Sequence, residues 1–227
     1  MTTMAPDSIE QRAAWGYVSA SEPKWLARLA VVAALVLYIT LPDKLILGPF
    51  WVIPGGEAAL LVFLSVTSRR HQVEERVTRM LAIVMIGVIS AANIASLLLL
   101  VRALVGGAKV DGHELIVSSI QIWLTNVIVF GLWYWEIDRG GPMLRCRSDH
   151  EEPDFLFPQM VTPEAARAGW TPSFLDYLYV SFTNATAFSP TDTMPLTAWA
   201  KFLMMLQSLA SLVTVAVVVS RAVNILS

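Results

Sequence analysis

Five apolar runs divide the chain, at about Trp25–Leu41, Gly55–Ser68, Val77–Val105, Leu115–Trp135 and Thr197–Leu226. A helix needs roughly 20 apolar residues to cross the hydrocarbon core of a bilayer. Inside that core each backbone N–H and C=O must be paired within the protein, which leaves helices as the solution for separate apolar runs. The composition agrees, because 56% hydrophobic and 15% charged residues in a chain of 227 is too apolar for a soluble domain. The expected fold is an all-α polytopic membrane protein. It has about five transmembrane helices plus a re-entrant short helix and polar hairpin before the last helix. The Gly55–Ser68 run is the shortest and reaches crossing length only if its helix starts near Ile46 and tolerates Pro49 and Pro54.

The breaks between runs define four parts. Residues 1–24 are polar and mixed in charge, with no apolar core, so no signal peptide is expected. Residues 25–138 form a four-helix membrane region. Residues 139–172 form a polar acidic loop rich in Pro, Asp and Glu, and residues 173–227 hold a short helix, a polar hairpin at 183–197 and the last span. Arg69, Arg70, Arg76 and Arg79 crowd one loop, which the positive-inside rule assigns to the cytoplasm. Strict counting then puts Arg139, Arg145, Arg147 and Arg167 on the same side. Localisation is expected in the plasma membrane as a multi-pass protein.

Composition also excludes function classes. A net charge of -2 without a basic run argues against nucleic-acid binding. The single cysteine, Cys146, rules out an intrachain disulfide and a cysteine metal site. His71, His113 and His150 are scattered and read as solvated loop residues. There is no HExxH, GxSxG, P-loop or glycine-rich dinucleotide turn. No enzyme, catalytic residue, metal or cofactor is expected.

The segment Ser181–Thr197, SFTNATAFSPTDTMPLT, is the polar exception in this apolar chain. Polar backbone at membrane depth survives only where protein buries it or where it lines a watery cavity. The segment offers the hydroxyls of Ser181, Thr183, Thr186, Ser189, Thr191, Thr193 and Thr197, the amide of Asn184 and the carboxylate of Asp192. Hard cations prefer oxygen ligands, and an intramembrane carboxylate is a functional candidate. A polar loop at the membrane edge, with Asp192 in water, fits the same residues. Phe174–Phe182 precedes it as a short helix, with Ser173 as an N-cap type and Asp176 in the first turn. In the helix that follows, Gln207, Ser211 and Thr214 form a polar stripe. The stripe suits either a pore wall or interhelical hydrogen bonding. Interhelical bonding is the expectation for Ser90, Asn93, Ser96, Thr125 and Asn126. Glu57, near the start of the second run, fits an interfacial position.

Short helix, polar hairpin and long helix resemble the pore module of potassium channels in the voltage-gated-like superfamily, across residues 173–227. That family carries a T-T-x-G-Y-G-D filter, then a proline and a threonine before the inner helix. Here Thr186, Ala187, Phe188, Ser189, Pro190, Thr191 and Asp192 stand in the filter positions, followed by Pro195 and Thr197. Ser189 and Thr191 replace the two filter glycines, Pro190 the tyrosine and Ala187 the inner threonine. Serine and β-branched threonine resist the positive φ that glycine supplies, so a ladder of stacked carbonyl cages is not expected. The resemblance implies a pore-loop cation channel subunit with doubtful potassium selectivity. Its partners would be the lipid bilayer and monovalent cations, and it would assemble as a homotetramer. Thr186, Ser189 and Thr191 would line the constriction, Asp192 would concentrate cations, and Gln207, Ser211 and Thr214 would line the cavity. Potassium channels take this module from outside, which strict charge counting contradicts here; either the region before Ser68 crosses only once in effect, or the module is inverted, as in ionotropic glutamate receptors. The alternative function is a non-conducting scaffold or partner-binding protein that keeps the pore-module fold.

Overall fold

The computed structural model describes residues 24–46, 55–56, 75–106, 112–145, 152–162, 164, 166, 170–187 and 192–226. Helix α1 is Trp25–Ile39, α2 is Glu75–Val105 and α3 is Gly112–Ile137. After them come the two-residue strand β1 (Phe155–Leu156), the single-turn α4 (Pro158–Val161) and helix α5 (Phe174–Ala187). Strand β2 (Met194–Pro195) and helix α6 (Ala198–Leu226) complete the chain. Three stretches are helical, long and apolar enough to cross a membrane: Val77–Val105, Gly112–Gly140 and Ala198–Ser220. Helix α1 is apolar but, at 15 residues, shorter than these. The chain is therefore a helical membrane protein. The Gly55–Ser68 run beyond Gly56, with Glu57, lies outside the described residues, as does the N-terminal segment before Lys24. His113 stands exposed in the first turn of α3 rather than in a loop.

Helix α3 is the hub, with α1, α2, α5 and α6 all packed on it. Two apolar clusters fix how they run. Near the C-terminal end of α3, Val129, Leu132, Tyr134 and Trp135 pack with Ala27, Ala30 and Val31 of α1, Met85 and Ile89 of α2, and Ala200 and Met204 of α6. Near its N-terminal end, Leu115 and Ile122 pack with Tyr38, Leu97, Leu100 and Val217. Helices α1, α2 and α6 thus all run antiparallel to α3.

Helix α5 begins with Asp176 reaching back to Ser173. The Asp176 carboxylate accepts from the Ser173 backbone N–H at 2.7 Å and from the Ser173 hydroxyl at 2.8 Å. The sequence placed the end of this helix at Phe182 and the hairpin from residue 183. The helix instead continues to Ala187. Thr183 and Thr186 turn their hydroxyls back onto the Tyr179, Val180, Phe182 and Thr183 carbonyls, and Asn184 finds partners on α6. Polar residues that compete with the helix when alone are satisfied within it here.

At the other end of the polar segment, β2 pairs antiparallel with β1, Phe155 opposite Pro195 and Leu156 opposite Met194. Thr197 then opens α6 by accepting the Ala200 N–H at 3.3 Å, as an N-cap residue does.

Candidate functional site

Two buried polar groupings surround the Ser181–Thr197 segment. The deeper one joins α3, α5 and α6 around Gln207. Its Nε2 donates to the Ser181 carbonyl at 2.8 Å and to the Ser181 hydroxyl at 2.6 Å. Its Oε1 accepts from the Tyr134 hydroxyl at 2.6 Å and from Asn184 Nδ2 at 2.8 Å. A carboxamide has two donors and room for two acceptor contacts, so Gln207 is saturated. Ser181 donates onward to the Val127 carbonyl at 2.6 Å. Asn126 Nδ2 reaches the Ser211 hydroxyl at 3.0 Å, and Asn184 Nδ2 reaches the Met204 carbonyl at 3.0 Å while its Oδ1 accepts from Ser208 at 3.2 Å.

The stripe Gln207, Ser211, Thr214 therefore faces inward. Gln207 and Ser211 are fully buried and Thr214 nearly so. Of the two roles the stripe suited, Gln207 and Ser211 fill the interhelical one within this chain. Thr214 donates to the Ala210 carbonyl of its own helix. The opposite face of α6, with Phe202, Met205, Leu209 and Leu212, is exposed and apolar. The expectation for Asn126 is met in the same way. Ser90 accepts from Trp133 Nε1 at 2.9 Å, which links α2 to α3.

The second grouping closes the C-terminal end of α3. Arg139 takes φ of 54°, and Gly140 and Gly141 follow at 79° and 98°, so the chain leaves the helix through three left-handed residues. A left-handed arginine costs roughly 1–2 kcal/mol. Its side chain is fully buried, with Nη2 3.2 Å from the Met160 sulfur and Nε 3.9 Å from Asp138. Asp138 is fully buried as well and collects donors from three directions. The Tyr177 hydroxyl of α5 donates to it, Arg145 stands 3.7 Å away, and the backbone N–H groups of Asp154 and Phe155 donate at 2.8 and 3.3 Å. Arg145 also donates to the Tyr177 hydroxyl and to the Trp135 carbonyl, and lies over the Tyr177 ring at 4.9 Å. Burial pushes the Tyr177 phenol well above the ordinary tyrosine range, so it stays protonated and keeps donating to Asp138. Glu136, also buried, has Arg79 of α2 at 4.0 Å.

Of the residues singled out in the sequence for the filter, Thr186 is exposed at the end of α5 with its hydroxyl turned onto its own helix, and Ala187 is the last residue of that helix. Asp192 is exposed. Phe188, Ser189, Pro190 and Thr191 lie outside the described residues. Among the described residues no cluster of His, Cys, Asp or Glu could hold a metal ion.

Comparison with known proteins finds no matching family model, no similar curated protein and no similar solved structure.

Sequence reasoning missed Tyr134, Asp138, Arg145, Asp154 and Tyr177. Asp138 and Arg139 read as the polar stop that ends a span, and nothing in their local pattern says that a later loop folds back over them. Ser181 and Asn184 carried a usable signal. They lie three apart on one helical face, the spacing that meets a polar stripe on a neighbouring helix.

Proposed function

We propose that this chain is a pore-loop subunit of a weakly selective cation channel, assembled around an axis as a homotetramer in the plasma membrane. One geometric relationship supports the reading. Helix α5 starts at the C-terminal end of α3, where Tyr177 meets Asp138, and descends until Phe182 stacks edge-on against Trp123 at 5.9 Å. From Phe174 to Ala187 the helix is about 20 Å long at 1.5 Å per residue, more than half the thickness of a bilayer core. By Pro195 the chain is back beside Phe155, whose N–H is held by Asp138. A half-depth helix, a return limb and a crossing helix is the layout of a pore hairpin.

In this proposal the hydroxyls of Thr186, Ser189 and Thr191 border the constriction, and the exposed Asp192 draws cations toward it. Gln207 acts as the mounting that fixes α5 to α6 and Ser211 ties α6 to α3, while Thr214 bonds its own helix, a change from the cavity-lining role expected of the three. The end of the bundle that carries Arg79, Arg139 and Arg145 is proposed to be cytoplasmic, so the hairpin enters from that side. Ile46 packs at the opposite end from the start of α2, which supports a further crossing between them and a total of about five spans.

Monovalent cation flux into proteoliposomes tests the reading. The expected result is flux that falls with Asp192→Asn, from chains that cross-link to tetramers. Absence of flux from a strict monomer or dimer would sink it in favour of the non-conducting scaffold, which the loss of both filter glycines also suits.

A further inference from the structure

The return limb and the loop it pairs with are held very unequally. Residues 152–161 are anchored from beneath: Phe155, Phe157 and Met160 are buried, with the Phe155 ring 5.1 Å from Tyr134 and the Phe157 ring 5.3 Å from Tyr177. The backbone of this segment is tied to Asp138 by two N–H donors. Burying several aromatic and sulfur side chains holds a loop in place. The limb at residues 192–197 has little of this. Met194 and Leu196 are 60% and 44% exposed, and the ladder to β1 is two residues long and includes a proline, which has no N–H to give. Beyond that ladder, the Leu196 N–H donates to the Asp154 carbonyl at 2.8 Å and the Thr197 hydroxyl donates to the Asp154 carboxylate.

We propose that residues 152–161 are a fixed strap and residues 192–197 a movable limb latched to it, with the Asp154–Thr197 contact as the release point. Release leaves the strap seated on Asp138 and uncovers Thr193, which is 5% exposed when latched. Because the Thr197 hydroxyl also accepts the Ala200 N–H, unlatching reaches the first turn of α6. Asp154 then serves two segments at once: its N–H is fixed to the α3 terminus while its carboxylate and carbonyl hold the limb.

The test is labelling of Thr193→Cys by a membrane-impermeant maleimide, in full-length protein carrying Cys146→Ser in lipid nanodiscs. Asp154→Ala and, separately, Thr197→Val are each expected to speed labelling about 2- to 10-fold, the change in an opening equilibrium produced by one hydrogen bond of ordinary net strength. A Met160→Cys reporter on the strap is expected to label at the same slow rate with and without Asp154→Ala. Unchanged labelling of Thr193→Cys in both variants overturns the latch. A parallel rise at Met160→Cys overturns the fixed strap, because the whole loop would then be opening. No ion flux is measured, so a chain that does not conduct leaves this result standing, and a failed latch leaves the channel reading untouched.

Discussion

Gln207 and Ser181 are joined twice, by the Gln207 amide donating to both the carbonyl and the hydroxyl of Ser181. One residue lies on the long last helix and the other halfway along the short α5, so this pair sets the register of α5 against α6. An apolar helix surface alone does not fix that register in a membrane, because sliding along it exchanges one lipid-like contact for another. A saturated amide does, since each of its contacts has one register.

Removing either member should therefore loosen the register of α5. Gln207→Leu and Ser181→Ala, measured singly and together by unfolding in mixed detergent micelles, are expected to show a coupling of about 0.5–2 kcal/mol. Additive effects would mean that the pair does not hold α5.

Helix α5 also approaches α3 closely at one glycine. A Cβ on Gly131 would stand 3.2 Å from both the Leu178 Cα and its Cδ1. Gly131→Val is expected to destabilise the protein by about 1–3 kcal/mol through overpacking. Leu178→Ala should restore part of the loss, because it removes the methyl contact but leaves the backbone one. Thermal unfolding of the three variants in detergent checks both statements.

The charged closure at the end of α3 predicts an ordered pair of effects. Asp138→Asn leaves Arg139 and Arg145 buried without their carboxylate, a loss of about 3–5 kcal/mol for a broken buried ion pair. Tyr177→Phe keeps the charges and removes one bridging hydroxyl, which costs about 1–3 kcal/mol. Monodisperse yield after solubilisation should rank wild type above Tyr177→Phe above Asp138→Asn.

Backbone shape at the same turn gives a separate test. Gly141 has φ of 98°, and a Cβ there would lie 2.9 Å from the Glu136 carbonyl oxygen. Gly141→Ala is expected to cost about 1–3 kcal/mol, read as a lower unfolding midpoint. An unchanged midpoint would show that the turn can relax to another path.

Much of the helical frame was legible from the chain alone. Val77–Val105, Leu115–Trp135 and Thr197–Leu226 matched long helices within a few residues because apolar length is a local property that the bilayer converts directly into helix. The stripe on the last helix was legible as well, since 3.6 residues per turn aligns Gln207, Ser211 and Thr214 without reference to the rest of the fold. The end of α5 was misjudged because Thr183, Asn184 and Thr186 look like loop residues until their side chains are given partners on the same or a neighbouring helix.

Sequence by itself thus determined that this is a helical membrane protein with one polar segment before its last helix, and where that segment lies. Tertiary structure decided which way the polar stripe faces, where α5 ends and what covers the end of α3. The stripe turns inward because Ser181, Asn184 and Tyr134, remote in the chain, converge on Gln207. The closure forms because Tyr177, Arg145 and the backbone at Asp154 converge on Asp138. Hydrogen bonds and ion pairs act over a few ångströms in space, and no local pattern records which distant residue the fold brings within that reach.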